Sequence, residues 1–245
     1  AVLLRIGERW PAYRASIEQA MAALAEAELQ LADRDAQLLT AASGVYFAEP
    51  VLDLKLLQGC TAAVLARVLR LWLQRLGRQL PGRRPLQELV RQLQTAQPGA
   101  GPGLQLGEWR LQRFQQRLHL YRPSCAKPGA TKLRLLPGQV LAVPGLGKLE
   151  MRAVAAGGVR LPEQGYWQLA WRQGGERCQP QGRKHSQSLK KLLQEYAVPP
   201  WQRELVPLLY DGSELLAVGD LWTCEGGQPS PGQHGYQLVQ HPLSL

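Results

Sequence analysis

An α+β chain of two domains is expected here: a mostly helical first domain with a terminal β-hairpin over residues 1–122, a linker over 123–132, and a small α+β C-terminal domain over 133–245. Three observations carry this expectation. Apolar residues recur at spacings of three and four as far as about residue 95, the period of an amphipathic helix. After the Pro- and Gly-rich stretch 97–103 the period falls to two, the period of a strand. A second Pro-containing break at 123–129 precedes short alternating segments separated by Gly and Pro.

In chain order, Trp10, Tyr13, Ile17, Met21, Leu24, Ala27 and Leu31 place one apolar face on a long helix over 10–40. A second helix is expected over 56–76, with Cys60, Val64, Val68, Leu71 and Trp72 as its stripe and Gly77 as its stop. Arg67, Arg70, Gln74 and Arg78 share a flank of that stripe. The run Pro81-Gly82-Arg83-Arg84-Pro85 is a turn by composition, and Pro85 suits the first position of a third helix carrying Leu86, Leu89, Val90 and Leu93 inward. Trp109 and Leu111, then Leu118 and Leu120, alternate with polar residues as a hairpin. Its other face carries Arg110, Phe114, Arg117, His119 and Tyr121.

Beyond the break, strands are expected at 133–135, 139–143 and 148–154, and Trp167, Leu169 and Trp171 alternate strictly. Breaks are expected at Pro144-Gly145 and Gly157-Gly158. A helix over 186–196 turns Leu189, Leu192 and Leu193 inward. Asp211-Gly212 between the apolar runs 206–210 and 214–218 is a strong hairpin signal. The last 20 residues are rich in Pro and Gly and are expected to be irregular.

Composition narrows the function classes. With 245 residues, 45% of them apolar, the chain buries a core and is no disordered tail. No run of 18 apolar residues exists, so no membrane span is expected. The start, Ala1-Val-Leu-Leu-Arg5, is unlike a signal peptide; it lacks an initiator Met, which reads as a cut fragment. Cys60, Cys125, Cys178 and Cys224 show no metal-ligand spacing and are expected as four free thiols in a reducing cytoplasm. The formal net charge of +10 favours polyanions, of which nucleic acids and anionic membrane surfaces are the commonest. An ordinary Arg-rich solvated surface is the plainer alternative.

The charge is clustered. Between Arg67 and Arg91 lie seven Arg and one acid, Glu88; between Arg172 and Lys191 lie six Arg or Lys and one acid, Glu176. The most informative stretch is 182–191. Ser186 is a good N-cap residue, and the helix it opens would aim backbone N–H groups and a partial positive charge outward. Arg183, Lys184 and His185 precede that end, Lys190 and Lys191 lie in the first turns, and Arg177 and Arg172 come from the loop and strand before it. This has the make-up of a phosphate site; the alternative is a capped surface helix with solvated basics. The patch Arg67, Arg70, Arg78, Arg83, Arg84 and Arg91 fits phosphate contacts or a solvated helical face equally. On the hairpin, Phe114 and Tyr121 fit base stacking or, preferably, packing beneath the first domain. No P-loop, G-x-G-x-x-G, G-x-S-x-G or H-E-x-x-H motif occurs, and no His is assigned as a general base.

The segments Arg172–Arg177, Gly182–Ser186, Leu189–Glu195, Val198–Arg203, Pro207–Gly212 and Ala217–Gly219 follow in an order that resembles the C-terminal domain of tRNA(Ile)-lysidine synthetases. Upstream, Glu8-Arg-Trp-Pro11, the long helix, the Arg-rich second helix and Gly107–Arg113 resemble that family's middle, substrate-binding domain. The resemblance implies a ligase that uses ATP, with Mg, to join lysine to the wobble cytidine of the isoleucine tRNA with a CAU anticodon. It implies that the chemistry belongs to an N-terminal domain with a Ser-Gly-Gly-x-Asp-Ser loop, which is absent from this sequence. No catalytic, ATP, lysine or metal residue is therefore carried over, no cofactor is expected in this chain, and its part is tRNA binding. The runner-up is a basic protein–protein or dimerisation module without RNA contact, and a homodimer stays open at this stage.

Overall fold

A computed structural model describes residues 12–47, 49–97, 101–123, 129, 132–144 and 146–241. The chain divides into two compact units, 1–122 and 123–245. Trp10 and the rest of 8–11, Cys125, most of the 123–132 linker, part of the 97–103 loop and Gly145 lie outside the described residues.

In the first unit, α1 (Tyr13–Ala42), α2 (Ala62–Arg75) and α3 (Arg83–Thr95) accompany a five-stranded antiparallel sheet. The sheet order is β1 (Ser43–Tyr46), β2 (Glu49–Asp53), β5 (Arg117–Tyr121), β4 (Trp109–Phe114), β3 (Gly103–Leu106). Leu52, Leu111, Leu118 and Leu120 from the sheet meet Leu39, Val68, Leu69, Trp72, Leu86 and Leu89 from the helices in one core. The expected hairpin is β4–β5, but it sits inside a larger sheet. Strands β1, β2 and β3 escape the pattern because each has only four or five residues, and they include Gly44, Pro50 and Gly103, poor strand formers.

Helix α2 begins at Ala62 rather than 56, because the Thr61 hydroxyl accepts the Val64 N–H at 3.4 Å and caps it there. Its buried stripe is Leu65, Val68, Leu69, Trp72 and Leu73, so Val64 and Leu71 fall on the flank. Gly77 ends it at φ 64°, where the Gly77 and Arg78 N–H groups take the last carbonyls. Helix α3 begins at Arg83, with Pro85 third rather than first, and buries the expected Leu86, Leu89, Val90 and Leu93. The apolar face of α1 forms as a helix, but among the described residues Ile17, Met21, Leu24 and Leu31 are 45–68% exposed. Only Asp35, Leu39 and Ala42 of α1 are buried.

In the second unit, a five-stranded sheet orders β14 (Trp222–Thr223), β13 (Glu214–Val218), β12 (Pro207–Asp211), β9 (Trp167–Trp171) and β6 (Leu133–Leu135). A three-stranded sheet orders β15 (Gly235–His241), β8 (Gly147–Val154) and β7 (Val140–Val143). All these pairings are antiparallel. The core joins Trp167, Leu169, Leu209 and Leu216 of one sheet to Leu149, Met151 and Leu238 of the other. The β12–β13 loop is Gly212-Ser213, one residue later than expected, with Gly212 at φ 59°. The supposedly irregular tail holds β15, whose seven residues pair with β8 along their whole length. His241, read as part of that tail, lies on this strand with Nε2 3.2 Å from the Glu150 carboxylate.

Two further expectations are corrected. Cys178 and Cys224 are bridged as a disulfide, their Cα atoms 6.2 Å apart, so they are not free thiols. A separation of 46 residues hides this pair in the sequence; backbone bonds from Glu225 to Gln179 and from Gln181 to Thr223 bring the two segments together. The helix expected from Ser186 is α4 (Leu189–Glu195), seven residues long, with Ser188 at its N-cap and no side-chain cap bond. Residues 187–188 instead form β11, which pairs with β10 (Arg177–Cys178) and uses the chain that the earlier helix start required.

Candidate nucleic-acid interface

The basic stretch of the second unit is a two-stranded ribbon, not a helix end. Arg177 pairs with Ser188 and Cys178 with Gln187. The loop between the strands turns at Gly182, φ 78°, where the Arg183 N–H donates to Pro180 O at 3.1 Å and Gln179 Nε2 donates to Arg183 O at 2.7 Å. This holds Lys184, His185 and Ser186 exposed at the tip.

Ser186 does not cap a helix; its carbonyl accepts Arg177 Nη2 at 2.8 Å. The first N–H of α4, at Leu189, donates to Glu176 O at 2.9 Å. The donor array expected from Ser186 is therefore absent among these described groups. Alternation along α4 buries Leu189, Leu192 and Leu193 and leaves Lys190 and Lys191 exposed.

Arg183 lies apart from the α4 start. Its guanidinium donates to both Glu195 oxygens, at 3.0 and 2.6 Å, at the opposite end of α4. That bond raises the Arg183 pKa, and the same bond holds Glu195 below the usual carboxylate range. Arg172 pairs with Glu176 at 3.8 Å, and Glu176 Oε1 also accepts the N–H groups of Gln173 and Gly174 at 2.5 and 2.8 Å. Lys184, Lys190 and Lys191 form no salt bridge among the described residues.

Four residues that sequence reasoning did not assign to the site shape this surface: Glu195, Tyr196, Arg203 and Trp222. Tyr196 and Trp222 rings lie 4.4 Å apart, and the Arg183 guanidinium is 5.8 Å from the Tyr196 ring. Burial first, and the nearby Arg172 second, lower the pKa of Arg203. An aromatic at the end of a helix beside a basic loop was the available signal for Tyr196.

The first-unit patch separates into bound and open cations. Arg67 donates to Asp35 at 2.6 and 3.1 Å, and Asp35 is 4% exposed. Arg78 lies 3.9 Å over the Trp109 ring. Arg91 holds Glu88, with Gln92 adding a second hydrogen bond, and the Glu88 carboxyl falls to about 2. Arg70, Arg83 and Arg84 are exposed. Arg83 and Arg84 open α3, whose first turn has no acid, so two cations face the positive end of the helix dipole. On the sheet, Arg110, Phe114, Arg117, His119 and Tyr121 do share a face, paired across β4 and β5. That face is largely closed: His119 is fully buried with Nδ1 3.0 Å from Glu49, Tyr121 is 8% exposed, and Arg117 lies 4.3 Å over Tyr46. No helix of the described residues is long and apolar enough to cross a membrane.

Comparison with known proteins divides along the same units. Residues 52–119 match the family described as the TilS substrate binding domain, and residues 167–240 match the TilS substrate C-terminal domain. A tRNA(Ile)-lysidine synthase of Vibrio vulnificus (strain CMCP6) is 33% identical over 225 residues, 90% of this chain and 50% of that protein. One of Coxiella burnetii (strain RSA 493 / Nine Mile phase I) is 32% identical over 246 residues, 98% of this chain and 53% of that protein. One of Serratia proteamaculans (strain 568) is 33% identical over 244 residues, 97% of this chain and 53% of that protein. The chain spans about half the length of the curated relatives it matches. With both of its units matched in order, the chain belongs to the tRNA(Ile)-lysidine synthase family and carries that family's substrate-binding and C-terminal domains.

Proposed function

We propose that this chain is the tRNA-binding portion of a cytoplasmic tRNA(Ile)-lysidine synthase, a ligase that uses ATP to attach lysine to the wobble cytidine of the CAU-anticodon isoleucine tRNA. ATP, its Mg and lysine are substrates of the whole enzyme, and this chain positions the tRNA. Domain roles follow the two units: 1–122 carries substrate binding, and the part after the 123–132 linker, 133–245, carries recognition of a more distant part of the tRNA.

The observation that supports this best is the exposed set Lys184, Lys190 and Lys191 around the ribbon, within the matched C-terminal domain. Such cations fix register by contacting phosphates, while a few other contacts select the sequence. Arg70, Arg83 and Arg84 are the corresponding open cations of the first unit. Placing Arg83 and Arg84 at a helix start works against α3 itself, which fits a role outside the fold.

Fluorescence anisotropy with labelled tRNA(Ile) across a salt series tests the reading. Each phosphate contact contributes about one unit to the log–log salt slope. A steep slope with tRNA(Ile) is expected. Absence of tRNA binding, together with self-association in light scattering, would favour the alternative of a basic dimerisation module.

A further inference from the structure

The second unit holds a cavity of about 240 Å³ between its two sheets. Buried Leu209, Ala217 and Leu238 line its inner part. Trp222 and Tyr236, both half-buried, and the exposed Asp220 complete the lining. Sites for drug-sized molecules run from roughly 300 Å³ upward, so this one suits a single ring system rather than a whole nucleotide. Asp220 at its rim disfavours a phosphate, whose negative charge it repels.

Trp222 also ties the cavity to the basic ribbon. It packs on Tyr196 with ring centroids 4.4 Å apart, and Tyr196 in turn lies 5.8 Å from the Arg183 guanidinium. The cavity is thus separated from one ribbon cation, Arg183, by one aromatic pair. Strand phosphates and a base are spaced in that way along single-stranded RNA, where cations track the backbone and aromatics take the bases.

We propose that this cavity receives one unpaired nucleobase of a bound RNA, with Trp222 and Tyr236 as its aromatic lining and Asp220 as a hydrogen-bond acceptor. The proposal rests on the tRNA-binding reading above and adds that the C-terminal unit reads an unpaired nucleotide as well as phosphates. A carboxylate accepts only, so it selects bases that offer an amino group. Uracil presents its one donor, N3–H, between two carbonyl oxygens that the carboxylate repels.

The test compares RNA hairpins that are blunt or carry a short single-stranded 3′ tail of adenosine or uridine, bound to the full 245-residue chain. The adenosine tail is expected to tighten binding by on the order of tenfold, the usual range for one stacked base. Trp222→Leu should lose that gain, so that tailed and blunt hairpins bind it equally tightly. Asp220 is exposed, so Asp220→Ala keeps the fold; it should erase the preference for adenosine over uridine without weakening binding of the blunt hairpin. Adenosine monophosphate should compete with the tail only at far higher concentration, and binding as tight as the tailed hairpin would make the site a free-nucleotide pocket and overturn the RNA assignment. Equal affinity of tailed and blunt hairpins overturns the pocket while leaving the tRNA reading standing. Failure to bind either RNA overturns both.

Discussion

Arg183 and Glu195 close the basic ribbon onto the far end of α4 through two parallel hydrogen bonds, at 3.0 and 2.6 Å. Among the cations of this stretch, Arg183 is thereby partly neutralised at home, while Lys184 at the neighbouring position is exposed and forms no salt bridge among the described residues. The two residues are therefore expected to separate in function. Lys184→Ala and Lys190→Ala together should weaken tRNA binding by roughly 1–3 kcal/mol, the range for charge-assisted hydrogen bonds after desolvation. The salt slope should fall by about one unit for each phosphate that is no longer neutralised. Arg183→Ala removes a cation but frees Glu195, so part of its effect comes from new repulsion; Arg183→Ala with Glu195→Ala should recover affinity relative to Arg183→Ala alone. Anisotropy titrations of these variants decide this, and equal losses for the single and double Arg183 variants would refute it.

Acid titration offers an independent reading of the same bonds. Arg183 holds Glu195 below the usual carboxylate range, and Arg91 holds Glu88 at about 2. A carboxyl whose folded pKa is depressed stabilises the fold above its unfolded value, near 4.3, and loses that contribution as pH falls through the folded value. The guanidinium partners stay charged throughout and add nothing to the pH dependence. Carboxyl-carbon NMR should therefore show Glu88 titrating at about 2 in the parent and higher in Arg91→Ala, where the Gln92 hydrogen bond alone still lowers it. Glu195 should move upward likewise in Arg183→Ala.

Arg67 was a candidate phosphate contact, yet it spends its guanidinium on Asp35 at 2.6 and 3.1 Å. The Asp35 side chain is 6% exposed, so removing its donors leaves a carboxylate with little water. Arg67→Ala is expected to cost roughly 1–3 kcal/mol of stability. Replacing both residues with apolar ones of similar size should cost much less, because no buried charge is left behind. Urea denaturation of the single and double variants measures this. A salt slope for tRNA that drops in Arg67→Ala as much as in Arg70→Ala would instead return Arg67 to the binding surface.

How much of this was readable in sequence depends on the range of the interactions. The α3 stripe of Leu86, Leu89, Val90 and Leu93 and the alternation of Trp167, Leu169 and Trp171 were legible, because each is set by local period and burial follows it. The β4–β5 hairpin was legible for the same reason. The sheet around it was not: β1 and β2 are short, and β2 joins the sheet by pairing across the chain with β5, as where Val51 pairs with His119. The start of α4 failed by competition, since Gln187 and Ser188 obtain ladder bonds from Cys178 and Arg177 that no helix rule anticipates. Glu195 reaches Arg183 across twelve residues, and Trp222 reaches Tyr196 only through the folded sheet, so neither partner is visible along the chain.

The bridge between Cys178 and Cys224 supports the last prediction. It closes a segment of 46 residues that includes the ribbon, α4 and the β12–β13 hairpin. Cross-linking a loop of that length removes denatured-state entropy worth up to roughly 4 kcal/mol in the chain-entropy account. Cys178 directly follows Arg177 on β10, and Trp222 Nε1 lies 3.4 Å from Cys178 Sγ. Reduction, or Cys178→Ala with Cys224→Ala, should therefore lower Tm and change Trp222 fluorescence together. Because backbone bonds from Gln181 to Thr223 and from Glu225 to Gln179 remain, the ribbon should loosen without the sheets melting, with far-UV circular dichroism unchanged at low temperature. Binding of tRNA should weaken by a smaller factor than in the Lys184 and Lys190 double variant, since the cations are kept and only their placement relaxes. Full tRNA affinity and an unchanged Tm after complete reduction, verified by thiol counting, would show that the bridge plays no part in holding the ribbon.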